Sequence, residues 1–345
     1  MAIIEEATEG RSPGAVLACS RELFDPALRS AVDTLPPAIH RIAAYHFGWY
    51  DENGVPDDAG AGKAVRPALA LLAAEAAGGS PQSGVPAAVA VELMHNFSLL
   101  HDDVMDGDTT RRHRRTAWTV FGANPAILAG DALLTLALDV LAASGHDAAQ
   151  NGMRMLSTAV LDLINGQRAD LDFESRQDVD LAECVHMTEG KTGALLGCAC
   201  ALGAAFGGGS GQVESLRAFG RSFGMAFQHV DDLLGIWGNP EVTGKPIYSD
   251  LRSRKKSLPV VAALRSGTTA GRELATLYVR DGPLSDVDLV RAAELVDAAG
   301  GRGWSQRQAD DLLARALSEL HSADLARRPA AELAALAQFA TQRNH

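Results

Sequence analysis

Asp102, Asp103 and Asp106 stand together in the run Asp-Asp-Val-Met-Asp. On a helix, like charges four residues apart cost roughly a few tenths of a kcal/mol unless something neutralises them. A hard divalent cation does so, and carboxylate oxygens that leave coordination positions open suit Mg2+ bridging to a phosphate-rich ligand. A solvated acidic turn explains this trio equally well when it is taken alone. A second pair, Asp231 and Asp232, recurs far along the chain. Two carboxylate clusters facing one another could hold a single polyanion through several metal ions. Cations accompany both. Lys63 and Arg66 lie in Gly-Lys-Ala-Val-Arg-Pro, Arg111, Arg112, Arg114 and Arg115 follow the first cluster at once, and Lys191, Lys245, Lys255 and Lys256 punctuate the later half. One such cation is ordinary surface. Cations beside metal-binding carboxylates serve the same phosphate groups.

The first cluster must be carried by a helix. From about Val85 to Asp106, Leu93, Phe97, Leu100 and Val104 recur at spacings of three and four and form a packing stripe. His95, Ser98, Asp102 and Asp106 fall in a narrow sector of another face. That polar stripe crosses a largely apolar stretch, Val89 to Leu100, and so reads as the lining of an internal cavity. The second pair follows a further helical segment, Leu216 to Val230. Elsewhere the pattern is a succession of long helices, punctuated near 51–62, 78–86, 145–152, 207–211, 238–246 and 300–303 by Gly, Pro and Asp. No segment alternates convincingly with period two, and no fixed repeat or low-complexity tail is found.

Composition agrees. The chain has 345 residues, a hydrophobic fraction of 47% and an aromatic fraction of only 5%, and its Ala and Leu favour helix over strand. No linker divides it, so residues 21–345 read as a single all-α domain, preceded by a flexible N-terminal segment over residues 1–20. A net charge of -12 argues against nucleic acid as a partner. Cys19, Cys184, Cys198 and Cys200 lack paired zinc-ligand spacing and read as free thiols in a reducing cytoplasm. The N-terminus has no secretory pattern, and no stretch is expected to reach the roughly 20 apolar residues of a transmembrane helix.

In these motifs the sequence resembles the trans-isoprenyl diphosphate synthases, the polyprenyl synthetases that make geranyl, farnesyl and geranylgeranyl diphosphates. The likeness covers about Gly62 to Pro259. It rests on Gly62-Lys63 with Arg66-Pro67, on His95 through Asp106, and on Arg111-Arg112 with Thr116. Gly166-Gln167 with Asp170-Leu171, Lys191-Thr192-Gly193, Phe227-Gln228 before Asp231-Asp232, and Gly244-Lys245 with Asp250-Leu251 follow in the family's order. The resemblance implies a helical bundle with a deep central cavity, usually homodimeric. It also implies Mg2+-dependent head-to-tail condensation of isopentenyl diphosphate with an allylic diphosphate, releasing pyrophosphate. By the same token three Mg2+ ions are expected. Asp102 and Asp106 would hold two and Asp231 the third, with Asp103 and Asp232 as further candidate ligands. Arg111, Lys191 and Lys245 would contact the allylic diphosphate; Lys63, Arg66, His95 and Arg112 would hold that of isopentenyl diphosphate. Thr192, Gln228 and Lys255 complete the substrate-binding set.

Two positions depart from the family pattern. Gly235 stands where many members carry a third aspartate in the second motif, and Arg115 stands where proline is frequent. Chain length should depend on bulk below the first motif. Phe97 lies five residues before Asp102 and the small Ser98 four before it, a combination that resembles geranylgeranyl synthases and points to a twenty-carbon product. A farnesyl or longer product, a terpene cyclase on the same fold, and a non-catalytic prenyltransferase subunit are the alternatives. The cyclase needs no isopentenyl site, and the subunit typically lacks the first aspartate motif.

Overall fold

The structure, a computed structural model, describes residues 10–57, 62–240 and 246–342. It is all-α, as expected. In chain order the helices are α1 (Pro13–Val32), α2 (Pro37–His46), α3 (Val65–Ala76), α4 (Val85–Met105), α5 (Ala117–Phe121), α6 (Ala123–Ala143), α7 (Ala149–Ser175) and α8 (Leu181–Thr188). Then come α9 (Ala194–Phe206), α10 (Val213–Trp237), α11 (Ser249–Arg252), α12 (Leu258–Leu264), α13 (Thr269–Tyr278), α14 (Asp286–Ala298), α15 (Gly301–Ser322) and α16 (Arg327–Thr341). A single π turn, Glu189–Gly193, separates α8 from α9. Among the described residues the sheet content is one hairpin, Thr110–Arg111 (β1) paired antiparallel with Arg114–Arg115 (β2). So short a hairpin offers no period-two signal to a sequence reader.

Local chemistry sets several boundaries. Ser12 accepts from Ala15 N, and Pro13 stands in the first turn, so α1 starts inside the segment that composition reads as flexible. Val16, Ser20, Phe24 and Leu28 recur every four residues and are buried. Residues 13–20 are therefore part of the packed helix. Reciprocal capping boxes open α8 (Asp180 with Glu183) and α14 (Ser285 with Asp288). The acidic pair Asp231–Asp232 lies within α10 rather than after it.

The chain's contacts gather into two compact units, each assembled from separated segments, which is why no linker or compositional shift announces them. The first comprises Met1–Val160, Cys198–Arg217 and Leu320–Ala335; the second comprises Leu161–Gly197, Ala218–Glu319 and Leu336–His345. In the first unit residues 87–94 of α4 are buried without a break, and Leu93, Met94 and Leu100 are at most 1% exposed. Small residues let backbones touch there: a Cβ on Gly203 would stand 2.1 Å from the Ala70 carbonyl oxygen. In the second unit Ile236, Leu251, Val260, Leu274, Leu289 and Val296 form one core cluster, and Phe173, Cys184, Met187 and Leu258 belong to another.

One sequence expectation needs correction. α6 is 21 residues long and contains an 18-residue window of mean hydropathy 1.9, long and apolar enough to cross a bilayer by length and composition. Asp131 and Asp139 interrupt it in sequence and hide the run from a strict search for apolar residues. Its Ala126, Ala129, Gly130, Leu133, Leu136, Ala137 and Leu141 are buried in the protein.

Candidate active site

In the first unit, α4 ends at the acidic motif. The Asp106 N–H caps the helix on the Asp102 carbonyl at 2.8 Å, so the two carboxylates leave the same side one turn apart. Asp103 faces elsewhere. Its side chain is 2% exposed and accepts from Arg111 Nε at 2.7 Å. Burial pushes its carboxyl up to about 6, Arg111 opposes that, and Asp108 and Asp106 add to it. The pairing makes Asp103 a holder of Arg111.

Arg111 and Arg112 are presented by the hairpin. Arg112 and His113 form its two-residue turn with φ of 51° and 62°, the left-handed pair that matches strand twist. The loop before it is fixed by Thr116 Oγ1 and Trp118 Nε1, which both donate to the Asp108 carbonyl. From α2 the Tyr45 hydroxyl donates to the Arg115 carbonyl at 2.8 Å, and Arg114 donates back to the carbonyls of Tyr45 and Tyr50. Gly62 must be glycine twice over. Its φ is +73°, and a Cβ would lie 2.7 Å from the Arg112 guanidinium. The residue before Lys63 is thereby packed against Arg112.

Arg66 and His95 meet at 3.2 Å. Burial lowers Arg66 to about 10, a shift that Glu92 opposes and Arg112 reinforces. Burial also lowers Arg112. His95 is held well below its usual value by burial, then by Arg66 and Arg112. His46, on α2, falls to about 3 through burial, then through Arg112 and Arg111, so both imidazoles are neutral. Glu92, 5% exposed, is the nearby buried acid. Burial raises its carboxyl against the pull of Arg66, and it accepts from Asn96 Nδ2. His46 Nε2 and Arg66 Nε are buried without a hydrogen-bond partner among the described residues. More cationic capacity is gathered here than acids can match, which is the chemistry of an anion site.

The second unit carries the remaining motifs. Gly166 and Gly190 let α7 touch the π turn: a Cβ on Gly166 would be 2.5 Å from Lys191 N, and one on Gly190 2.7 Å from the Asp162 carbonyl oxygen. That contact sets Lys191 Nζ 2.6 Å from Asp170. Thr192 Oγ1 donates to Gln228 Oε1, Gln228 Nε2 donates to Asp232 Oδ1, and Leu258 N donates to Asp232 Oδ2. Asp232 is 4% exposed, raised by burial to about 6, and stands 4.0 Å from Lys255. Burial would lower Lys255, but Asp232, Asp250, Asp170 and Asp231 together hold it above its ordinary value. Asp231 is exposed on α10. Gln167 is buried with neither amide atom bonded among the described residues.

The predicted residues thus assemble into two sets. Asp102, Asp106, Arg111, Arg66, His95 and Arg112 are gathered in the first unit with Phe97 and Ser98 on the same helix. Lys191, Thr192, Gln228, Asp231, Asp232 and Lys255 are gathered in the second. Gly244 and Lys245 lie outside the described residues. Sequence reasoning missed Glu92, His46, Tyr45 and the role of Asp170. Glu92 had a signal: it is an acid in an otherwise apolar run, three residues before His95.

The donors fit hard divalent cations. Four acids in the second unit, Asp170, Asp231, Asp232 and Asp250, outnumber Lys191 and Lys255, and all offer oxygen. No three His, Cys, Asp or Glu side chains close a metal shell among the described residues. Mg2+ tolerates this, because it keeps waters and shares substrate phosphates.

Residues 58–295 match the family model described as polyprenyl synthetase. The chain is 48% identical over 332 residues to a (2E,6E)-farnesyl diphosphate synthase of Mycobacterium tuberculosis, covering 95% of this chain and 92% of that one. It is 43% identical over 331 residues to a geranylgeranyl diphosphate synthase of the same species, covering 95% and 93%. Among solved structures it is similar to a polyprenyl synthetase from Streptomyces coelicolor A3(2), with a TM-score of 0.91, 49% identity and coverage of 94% and 98%. A geranylgeranyl pyrophosphate synthetase from Pyrococcus horikoshii matches with a TM-score of 0.85, 30% identity and coverage of 96% and 99%.

Proposed function

Because this chain belongs to the polyprenyl synthetase family and is a prenyltransferase, we propose that it condenses isopentenyl diphosphate head to tail with an allylic diphosphate. The observation that carries this reading is the partly buried Arg66–His95–Arg112 group on and beside the helix of Asp102 and Asp106. A cyclase that only ionises one allylic diphosphate has no use for such a second anion site.

Each residue then has a task. In the first unit Asp102 and Asp106 would hold two Mg2+ ions, and in the second unit Asp231 would hold a third. When bound, Mg2+ neutralises the charge that develops on the departing pyrophosphate. In the first unit Arg111, fixed by Asp103, offers N–H donors to a diphosphate; in the second unit Lys191, fixed by Asp170, does the same, and the family resemblance gives Lys245 that part too. Their charge favours breaking of the carbon–oxygen bond to leave an allylic cation. Lys63, Arg66, His95 and Arg112 hold the diphosphate of isopentenyl diphosphate so that its double bond is oriented toward that cation. The neutral state of His95 lets Arg66 approach without added repulsion. The departing pyrophosphate takes the last proton, and no histidine base is needed. Thr192 and Gln228 keep Asp232 in place, and Lys255 balances its charge.

The twenty-carbon product remains our reading, supported by the small Ser98. Phe97 packs edge-on to His101 at 4.8 Å, and His101 sits against Gly130 of α6, so Phe97 is engaged with its neighbours. The 48% identical relative named for farnesyl diphosphate favours fifteen carbons. A homodimer is supported by the exposed Ile127 and Leu128 of α6, and cytoplasmic residence follows from the same family reading.

The test is product analysis with Mg2+, isopentenyl diphosphate and separate dimethylallyl, geranyl or farnesyl primers. Geranylgeraniol after dephosphorylation supports the full reading, and Ser98→Phe should shorten it. Farnesol as the end product would replace twenty carbons by fifteen. Cyclic hydrocarbons formed without isopentenyl diphosphate would overturn the condensation.

A further inference from the structure

The motifs that mark the anion site begin at Gly62, but a residue of the first helix reaches them. α1 packs against α3 and α4, the helices of Arg66 and His95. Arg21, Asp25 and Arg29 follow the buried Ser20, Phe24 and Leu28 by one residue each, so a row of alternating charge runs beside the packed stripe. The row is fixed at its far end, where the Arg29 guanidinium lies 4.4 Å over the Trp49 ring. Asp25 sits between the two cations, raised by burial and pulled back by Arg21 and then Arg29. Its carboxylate is 3.7 Å from Arg21 Nη1. The other nitrogen, Arg21 Nη2, donates to the Gly62 carbonyl. One guanidinium therefore spans helix and loop, which suits its planar fork.

Gly62 is held from two sides. Arg21 takes its carbonyl, and a Cβ on it would stand 2.7 Å from Arg112 Nη2 and 2.9 Å from Cζ. Lys63 follows at once, and Arg66 stands in the first turn of α3. The charge of Arg21 is felt in the same cluster. Burial lowers Arg112, Glu92 opposes that, and Arg111 and then Arg21 reinforce it. Burial raises Glu92, and Arg21 is among the cations, after Arg66 and Arg112, that pull it back.

We infer that Arg21 is a positioning residue for the isopentenyl diphosphate site, one that clasps the Gly62 carbonyl and holds the segment leading to Lys63 and Arg66 against Arg112. The first helix is then part of substrate recognition, although it precedes every motif named above. A loop left unclasped must be ordered when the ligand binds; a clasped one is ordered beforehand. Loss of the clasp should therefore appear in the affinity for isopentenyl diphosphate and not in the handling of the allylic primer.

The inference rests on reading the Arg66–His95–Arg112 group as the isopentenyl diphosphate site, and the experiment separates the two. Binding of isopentenyl diphosphate to the full-length protein is followed by titration calorimetry without Mg2+, since that reading has cations of the protein hold it. KM for each substrate is then measured with Mg2+. Wild type, Arg21→Met, Arg21→Lys, Asp25→Asn, Arg112→Ala and Arg21→Met/Arg112→Ala are compared. Arg21→Met should weaken isopentenyl diphosphate about tenfold in both Kd and KM, the scale of one charge-assisted hydrogen bond. KM for the allylic primer should stay within about twofold. Arg21→Lys should recover the affinity to within about threefold of wild type, because an ammonium still reaches a carbonyl. Asp25→Asn leaves the buried stripe intact and should weaken binding about threefold by loosening the aim of Arg21; it carries the test if Arg21→Met does not fold. In the Arg112→Ala background, Arg21→Met should have a much smaller effect, because the clasp acts through Arg112. An undiminished effect there overturns the inference. Equal rises in KM for both substrates do so too, since Arg21 would then only brace the helix. If Arg112→Ala loses binding while Arg21→Met and Asp25→Asn bind as wild type does, the anion site stands and Arg21 has no part in it. An Arg112→Ala protein with unchanged affinity removes the site and the inference together.

Discussion

Two groups of charges in the first unit are built in opposite ways. Arg11, Arg328 and Glu332, near the ends of the described chain, form a closed set with Glu75 of α3. Arg11 reaches Glu332 at 2.7 Å and Glu75 at 3.3 Å, Arg328 reaches the same two acids at 3.3 and 2.6 Å, and the Arg11 N–H also donates to Glu332. Two cations meet two anions, and the Glu332 side chain is fully buried. In the Arg66 cluster the cations outnumber the one buried acid and two nitrogen atoms go unbonded among the described residues. The same residue type therefore shifts in opposite directions: hydrogen bonding to Glu332 raises Arg11, while burial lowers Arg66. A charge whose partner is built in serves the fold. One buried short of partners costs stability and is kept for a ligand.

The sharpest way to break this contrast is to exchange the consequences. Arg112→Ala should lower kcat/KM for isopentenyl diphosphate by about 10²- to 10³-fold and leave urea unfolding nearly unchanged; a large stability loss with normal kinetics would reverse the assignment. Glu332→Gln should do the opposite. It leaves arginines that are 35% and 40% exposed, so a loss of about 2 kcal/mol is expected after allowing for solvent screening, with kcat unchanged. Arg66→Met should raise KM for isopentenyl diphosphate and also stabilise the protein, by about 1 kcal/mol, as a partner-poor buried charge is removed. Equilibrium unfolding in urea reads both signs. The smallest effect is in pH. Burial alone would raise Glu332, but its arginine hydrogen bonds hold it below the ordinary 4.5. Its stabilisation is therefore complete above about 4.5 and is lost as pH falls through the lower folded value. The stability gap between wild type and Glu332→Gln should shrink over that acid range. A gap that widened would place the carboxyl's shift on the wrong side.

What could be read from the sequence was what depends on neighbours along one helix. The Leu93, Phe97 and Leu100 stripe, the Asp102–Asp106 pair and the limits of α4 follow from spacing, and the structure starts α4 at Val85 as the pattern does. What could not be read depends on residues far away in the chain. Asp102 and Asp103 look alike in the sequence, yet Asp103 turns to the buried side because Arg111 waits there on the hairpin. Glu92 meets Arg66 only through packing of α3 against α4, and His46 joins the anion site only through packing of α2. That a Cβ on Gly235 would meet the Asp250 carboxylate cannot be seen from a motif read along one helix. The turn at Arg112 and His113 carries no glycine or asparagine to announce its left-handed pair.

The Arg11–Glu332 contact also has a meaning for the chain as a polymer. It joins residues 321 positions apart, so the backbone is one hydrogen-bonded step from a ring. The entropy lost on closing a loop grows only with the logarithm of its length, roughly 0.6 kcal/mol for each doubling, so this very long closure costs little more than one half its size. A covalent joint near the clasp would add little constraint to the folded chain, and a new opening in an exposed loop would exchange one pair of ends for another. The order in which the segments of the first unit are strung matters less to its packing than the contact that holds its first and last helices together.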